Sequence, residues 1–376
     1  MNISQLFYPT EKIVGIEISK QYIKAILLEK TKDKVLMRKK SYVDLPSGLI
    51  LDHQIKDKKA FVEILNKFRQ DNKEIFRSKN VILSIPSNFV FTYLSSFPVL
   101  DYENLNKAVN LSLATDMFFP DDVENVYYDW EEIPKEIPDK SEVFISFSKK
   151  ENIDDYISAF SEAGFDLVAV EFGARSLARA LSIFGDSVGL AVNILSDGIN
   201  FSVIFKNKLL FSNFYKIPEI RSQEEFNALV KRKLSEVVNF YNTDQNSFGK
   251  IQNISVVFPY EEKKALVEFL KKETSLNFLD PAVDGSMLKE TASSIDDFWI
   301  SIFGTALRGL LPRESDKDIS LMTVGTEESF KKRKLMSYMF LWGDISSVVV
   351  IFFSLLFAGS LFFMNMLLTD TKVKFS

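Results

Sequence analysis

Between Ile345 and Thr369 the chain carries no charged residue, and the run is dominated by Val, Ile, Leu and Phe, as in Val348-Val349-Val350-Ile351-Phe352-Phe353. At ~1.5 Å per residue a helix of about 25 residues is longer than the ~30 Å hydrocarbon core of a bilayer. The segment is expected to be one transmembrane helix; the competing reading, a buried core helix, requires a globular interior to hold an uncharged helix of unusual length. Lys331, Lys332, Arg333 and Lys334 precede the apolar run, whereas only Lys372 and Lys374 follow it. That asymmetry places the N-terminal side in the cytoplasm. Tyr338 and Trp342 are then expected at headgroup level, with Asp344 at the cytoplasmic boundary. Ser354, Ala358 and Gly359 would let a partner helix approach, a weak signal by itself. Met1 to Gly15 is short and mixed, so no cleaved secretory leader is expected.

The 340 or so residues ahead of this segment, within a chain of 376, exceed what one compact core usually holds, so two α/β lobes are expected. Hydrophobic residues at 46% and charged residues at 26% are those of a folded protein. A net charge of −5, without a basic stripe interleaved with aromatics, argues against nucleic-acid binding. The absence of cysteine excludes disulfides, thiolate metal sites and cysteine nucleophiles. The single histidine, His53, falls in an expected loop, which leaves little for histidine catalysis or multi-histidine metal binding; no metal site is expected.

Alternating and apolar runs at Ile13–Ser19, Tyr22–Leu28 and Val35–Val43 read as an antiparallel meander, with a polar turn at Thr31-Lys32-Asp33-Lys34. Helical spacing follows over Lys58–Gln70 through Phe61, Ile64, Leu65 and Phe68, then a buried strand at Val81–Ile85. Beyond Pro86, a hairpin-like Phe89–Phe97, a helix Tyr102–Met117 and a strand Val126–Trp130 read as an insertion, after which Val143–Phe147 is expected to rejoin the main sheet. A helix Ile153–Ala163, a strand Leu167–Phe172 and a helix Arg175–Phe184 complete the first lobe. The second lobe repeats the grammar. Strands are expected at Gly189–Leu195, Asn200–Phe205 and Leu209–Tyr215, with a turn at Lys206-Asn207-Lys208. A long helix Gln223–Asn242, a strand Ile254–Phe258 and helices Glu261–Lys272 and Asp296–Leu311 follow. Two lobes opening on the same meander imply an internal duplication with a cleft between them.

Gly15-Ile16-Glu17-Ile18 with Lys24, the Ile85-Pro86-Ser87 strand end, Tyr156 with Ala163-Gly164-Phe165, Val170-Glu171, Ser176-Leu177-Ala178-Arg179-Ala180 and Gly304-Thr305-Ala306-Leu307-Arg308-Gly309-Leu310 occur in an order that resembles the PilM family of type IV pilus assembly proteins. The resemblance covers most of residues 10–311 and rests on that order rather than on any one motif. It implies an actin-like fold of the duplicated RNase H-like type, with a first lobe over 10–185 carrying an inserted subdomain at about 87–140, and a second lobe over 186–311. The helix at 304–310 resembles the one that closes the family's second lobe. The related GspL cytoplasmic domain of type II secretion shares the architecture and also precedes a transmembrane helix. Residues 312–334 form a linker in which Asp318-Ile319-Ser320-Leu321-Met322 resembles the short peptide that precedes the membrane span of PilN and docks onto PilM. The span is expected over residues 345–369 and a short extracytoplasmic tail over 370–376, in which no counterpart of the extracytoplasmic domain of PilN is expected.

Actin-like proteins hold phosphates between two hairpins whose glycines admit the backbone closely. Measured against that pattern, the first hairpin here reads Glu17-Ile18-Ser19-Lys20-Gln21-Tyr22, bulky and without its glycine. The second reads Asn193-Ile194-Leu195-Ser196, without the metal-facing carboxylate. Phe258-Pro259 replaces a glycine pair at the adenosine loop. Three elements fail together, so Glu17, Ser19, Lys20, Asn193, Leu195, Ser196, Phe258 and Pro259 are expected to line a degenerate nucleotide cleft, with ATP and Mg²⁺ disfavoured as cofactors and no catalytic residue. Glu17 and Asp197 as Mg²⁺ ligands form the alternative. No Walker A loop, His-Glu-x-x-His or Gly-x-Ser-x-Gly motif supports another enzyme class.

The expectation is a scaffold at the inner face of the cytoplasmic membrane. Ile319, Ser320, Leu321 and Met322 would dock in a groove of the first lobe, in cis or on a neighbouring copy. The remaining partners implied are PilN- or PilO-like membrane proteins and, indirectly, a motor ATPase of the pilus machine. A membrane-bound actin-like ATPase and a GspL-like secretion component are the alternatives.

Overall fold

A strand whose residues are all buried, Val14–Ile18, starts the architecture. The computed structural model describes residues 12–31, 34–51, 54–115, 125–134, 139–196, 198–244, 248–283, 295–313, 316–322 and 326–374, the last stretch with side chains at 339, 342–343 and 345–366. Residues 1–323 and 324–376 form two units.

In the first unit, β1 (Val14–Ile18), β2 (Tyr22–Thr31) and β3 (Lys34–Asp44) form the meander, and β4 (Ile50–Leu51) and β5 (Gln54–Ile55) a small ribbon. Helix α1 (Lys58–Asp71) starts at Asp57, whose carboxylate accepts from Ala60 N at 3.0 Å, and buries Phe61, Leu65 and Phe68 at helical spacing. Strand β6 (Asn80–Ile85) lies parallel to β1, buried throughout as central parallel strands are. After a short 3₁₀ turn at Ser87–Phe89 come β7 (Phe91–Pro98), α2 (Tyr102–Thr115), β8 (Val126–Glu132) and β9 (Lys140–Lys149). Helix α3 (Lys150–Glu162), β10 (Asp166–Phe172) and α4 (Gly173–Ala180) follow.

The second half contains β11 (Gly189–Ile194), β12 (Gly198–Phe205), β13 (Lys208–Lys216), α5 (Gln223–Asp244), β14 (Asn253–Val257), α6 (Lys263–Glu273), β15 (Asn277–Phe278) and α7 (Asp297–Arg308). Its meander turns at Lys206-Asn207, both with positive φ, as a tight hairpin of the right twist requires.

The two main sheets have the same order, β3-β2-β1-β6-β10 and β13-β12-β11-β14-β15. In each, three antiparallel strands are extended by two parallel ones. The match extends to register: Glu17 pairs with Lys24 and Ser84 in the first sheet, and Asn193 pairs with Asn200 and Val257 at the equivalent place in the second. Both meanders also carry a bulge near the start of their outer pairing, at Leu27/Leu28 and Val203/Ile204. The duplication implied by the sequence is thus present in the fold.

Three expectations are corrected. Val143–Phe147 does not rejoin the main sheet: β9 is the middle strand of a separate sheet, β7-β9-β8, so the insertion continues to Lys149 and the main sheet resumes at β10. Phe89–Phe97 accordingly supplies one strand of that sheet rather than a hairpin. The apolar run misleads because β9 is buried on both faces. Val143 and Ile145 pack with Leu105, Val109 and Leu113 of α2, while Phe144, on the opposite face, joins the main core. The helix expected to close the second lobe, α7, instead packs on the first sheet and on α4. A Cβ on Gly15 of β1 would lie 2.7 Å from Ala306 N, and one on Gly304 would lie 1.8 Å from Ser176 O, so the absence of side chains sets both approaches.

The second unit holds α8 (Thr326–Lys374), 49 residues long. Its segment Ile345–Met366 is long and apolar enough to cross a membrane, with a mean hydropathy of 2.4 and none of it buried.

Candidate functional site

The ends of β1, β6 and β11 and the start of α7 converge on a small cleft. Glu17, Ser19, Lys20, Asn193, Leu195, Ser196 and Pro259 all line it, together with Lys24, Ser87 and Phe298; its cavity of about 50 Å³ has room for a few waters. Phe258 lies just behind, its ring packed between Phe226 and Tyr260 and its N–H donated to Asp297 Oδ2 at 2.7 Å. Asp197 and His53 lie outside the described residues.

Among the described residues that line the cleft, the buried carboxylate, Glu17, is already engaged. Lys24 Nζ donates to Glu17 Oε1 at 2.7 Å and to the Phe298 carbonyl at 2.5 Å. It also sits 4.1 Å from the Phe298 ring centroid and 4.5 Å from that of Tyr22, geometry in which an ammonium is attracted to the ring face. Burial lowers the Lys24 ammonium from its ordinary value, although Glu17 pulls the other way. Glu17 Oε2 is buried and accepts no hydrogen bond. The first turn is closed by Ser19 Oγ, which accepts from Tyr22 N at 3.0 Å and from Gln21 N at 3.2 Å. The second is closed by Leu195 N donating to Gly198 O at 2.8 Å. Both turns therefore direct backbone donors at their own chain.

A second site lies at the outer edge of the first sheet. Residues Asp316–Met322 run past β10 and β8, with Ile319 and Leu321 fully buried, Ser320 buried and Met322 packed against the core. Leu321 N donates to Val170 O at 2.8 Å, Val170 N donates to Ser320 Oγ at 3.3 Å, and Ser320 N donates to Asp129 Oδ2 at 2.7 Å. Arg308 Nη1 and Nη2 cap the carbonyls of Ile319 and Asp318, each at 2.6 Å. The Asp318 carboxylate is held by Arg175 at 3.0 Å, Arg179 at 2.8 Å and Lys208 at 3.0 Å, which come from α4 and β13.

Behind this segment, charges are buried but matched. Glu171 takes Arg179 at 2.8 Å and Arg308 at 3.0 Å, and Asp316 takes Arg308 at 2.9 Å and Arg313 at 2.8 Å. Glu131 pairs with Arg175 at 2.6 Å and with Lys208. Burial alone would raise the Glu171 carboxyl; Arg179 and Arg308 carry it down to about 2. Asp318 is likewise held far below the usual carboxylate range, burial being outweighed by Arg175, Arg179, Lys208 and Arg308. Asp129 goes the other way, to about 6, because burial exceeds the help from the Ser320 and Trp130 amides.

Glu171, Arg179, Arg308 and Asp318 stand out in the sequence only as parts of the resemblance, and their pairing with one another is not read there, although a signal for it exists. Glu171 lies within the apolar run of β10 and Arg308 ends the apolar α7, and a charge buried with such a run requires an opposite charge nearby. Lys331, Lys332, Arg333 and Lys334 fall on the helical backbone of α8, with side chains outside the described residues.

A family model described as Type IV pilus assembly protein PilM matches residues 15–212, more than half of the chain. Among curated proteins none matches the sequence. A solved PilM-PilN type IV pilus biogenesis complex is similar with a TM-score of 0.63 at 15% identity, covering 81% of this chain and 100% of that one. The cytoplasmic domain of EpsL, an inner membrane component of the type II secretion system of Vibrio cholerae, is similar with a TM-score of 0.45 at 10% identity, over 84% and 99% of the two chains. A Bacteroides thetaiotaomicron protein with an actin-like ATPase fold and unknown function is similar with a TM-score of 0.44 at 14% identity, over 81% and 98%. With two sheets that match strand for strand and a family match that runs through the first lobe and its insertion into the third strand of the second meander, this chain belongs to the PilM family of type IV pilus assembly proteins and has its actin-like fold.

Proposed function

We propose that the chain is a scaffold of a type IV pilus machine, anchored by α8 in the cytoplasmic membrane with its N-terminal unit on the cytoplasmic side, and that it works by docking rather than by chemistry. The observation that carries this reading is the seating of Asp316–Met322. A segment that resembles the PilN docking peptide lies in a groove of the same chain, with two buried aliphatic side chains and a carboxylate met by three cations. The similar solved complex pairs PilM with PilN as its name states; here the peptide-like element is covalently attached, and tethering replaces an encounter between two molecules by a high effective concentration. The docked segment then leads directly into the membrane helix, so the cytoplasmic unit is held at the bilayer beside the other pilus-machine proteins, including PilN- or PilO-like partners, other copies of the chain and, through them, a motor ATPase.

The cleft fits a structural role. Its buried carboxylate, Glu17, is neutralised by Lys24, Asp297 is paired with Lys263, both hairpin turns use their donors internally, and the cavity is small for a nucleotide. One observation favours the competing reading of an ATP-binding protein: Glu17 lines the cleft and its Oε2 is buried without a hydrogen-bond partner. Two measurements separate the readings. Recovery of pilus-machine proteins with the full-length chain is expected to fall when Ile319→Asp and Leu321→Asp are combined, and unchanged recovery overturns the docking mechanism. Calorimetric titration with Mg-ATP is expected to show no heat of binding; micromolar, Mg²⁺-dependent binding replaces the scaffold reading with the nucleotide one.

A further inference from the structure

Helix α8 does not fit a bilayer as a straight rod. Its 49 residues span ~73 Å, more than twice the ~30 Å hydrocarbon core. If Ile345–Met366 crosses the bilayer and the helix continues straight, residues 326–344 project ~28 Å into water. That projection contains Leu335-Met336-Ser337-Tyr338-Met339-Phe340-Leu341-Trp342, where only Ser337 is not hydrophobic. Met339 and Trp342 are 67% and 64% exposed. Two apolar turns would face solvent on every side, which a stable stalk does not tolerate. Sliding the helix so that Leu335 begins the span creates a different conflict. Asp344 would then lie ~14 Å deep, close to the middle of the hydrocarbon, without a charged neighbour in the apolar run to pair with.

A third arrangement satisfies both constraints. We propose that residues 330–342 lie in the headgroup layer of the same bilayer that Ile345–Met366 crosses, with a bend at Gly343-Asp344, and that their ligand is an anionic phospholipid surface. The inference rests on Ile345–Met366 being the membrane span. Three features carry it. The apolar segment is continuous with the span, so entering the interface requires no second tether. The tetrad Lys331-Lys332-Arg333-Lys334 directly precedes Leu335 and complements anionic headgroups, each cation near such a surface adding attraction that salt screens. Tyr338 and Trp342 are the residue types that settle at that depth. Gly343 is the weakest non-proline helix former, and no atom lies within 4 Å of where its Cβ would be. With Ile345 beginning the span, Asp344 stays at the water boundary, which the shifted span denies it.

The lack of cysteine makes the test direct. Full-length Met339→Cys, Phe352→Cys and Lys250→Cys are each spin-labelled and reconstituted in vesicles of phosphatidylcholine with or without phosphatidylglycerol. Accessibility to oxygen and to a water-soluble nickel chelate is then read at each label. Phe352→Cys is expected to lose chelate access entirely and Lys250→Cys to keep it. Met339→Cys is expected to lose most of its chelate access in the phosphatidylglycerol vesicles, to recover it in high salt, and to recover it when all four basic residues are replaced by glutamine. If Met339→Cys is as chelate-accessible as Lys250→Cys while Phe352→Cys is lipid-buried, the segment is a stalk and the proposal is overturned although the span stands. Burial of Met339→Cys as deep as Phe352→Cys, or spin-spin broadening there that lipid dilution does not remove, also overturns it in favour of a shifted span or a paired helix. Chelate access at Phe352→Cys overturns the span reading itself.

Discussion

Asp318 concentrates more of the energetics than any other single residue of the linker, because three cations from two elements converge on one carboxylate. Removing one member of a buried charge cluster leaves its partners desolvated and only partly paired, a loss of about 3 kcal/mol or more. Asp318→Ala is therefore expected to destabilise the full chain in detergent by that order, whereas Lys39→Ala, which breaks the exposed pair with Glu74, should leave the denaturation midpoint nearly unchanged. Equal effects of the two substitutions would contradict the central place given to Asp318. The pH dependence follows from the same cluster. Glu171 is depressed to about 2, so its stabilisation is complete above its unfolded value near 4.5 and is lost as pH falls from there towards 2; at the order of magnitude of its shift this is ~3 kcal/mol. Asp129 has the opposite sign: raised to about 6, it opposes folding above that pH, and the opposition is relieved as protons are taken up between 6 and 3.8. Stability should thus rise modestly from pH 7 to about 5 and fall steeply below about 4, and Asp129→Asn should flatten the upper limb only. A midpoint that declines monotonically from pH 7 would show that Asp129 is not buried as described.

At the level of elements, the contact between α4 and α7 depends on Gly304, where an added methyl would lie 1.8 Å from the Ser176 carbonyl oxygen. Backbone cannot retreat there without moving α4 and the arginines it carries, so Gly304→Ala is expected to cost more than the ~1–3 kcal/mol of ordinary overpacking. Circular dichroism should show a large drop in melting temperature, while Gly185→Ala, in an open turn, should cost little beyond backbone strain at φ +53°. A wild-type melting curve for Gly304→Ala would disprove the tight crossing. Most elements were legible in the sequence because their burial is periodic: Phe61, Leu65 and Phe68 mark α1, and the continuous apolar runs of β1, β6 and β11 mark central strands. What was not legible is partner choice. Val143–Phe147 has the pattern of a central strand and is one, but of another sheet, since periodicity records burial on two faces without recording which neighbours supply it. The helix at 297–308 is likewise apolar enough to close either lobe, and the close approach of Gly15 to Ala306 decides between them in three dimensions only. The cleft residues were found together because the duplicated meanders place them at equivalent strand ends. The cations around Asp318 each lie more than 100 positions before it in the chain, and no local pattern joins them to it.

For the whole molecule, the docked segment matters because it joins parts that the chain makes separately. Asp318 reaches α4 of the first lobe and Lys208 of the second, Ser320 N bonds Asp129 in the inserted sheet, and Leu321 N bonds Val170 at the edge of the first sheet. A groove assembled from three sheets is shaped for this peptide, and in the intact chain the peptide's own effective concentration is on the order of millimolar, as for short linkers. A synthetic peptide of residues 315–323 added in trans must compete with that concentration. If its intrinsic Kd is about 10 µM, the unaltered chain should bind it ~100-fold more weakly than a chain whose own segment has left the groove. Ile319→Asp with Leu321→Asp should produce such a chain, because a carboxylate in place of either fully buried side chain cannot be accommodated without a partner. Fluorescence anisotropy of the labelled peptide measures both affinities: tight binding to the double variant with little to the unaltered chain is expected, and a peptide carrying Asp318→Ala should bind neither. Equal affinity for the two chains would mean that the groove is open in solution and that the covalent attachment of the segment does not govern access to it.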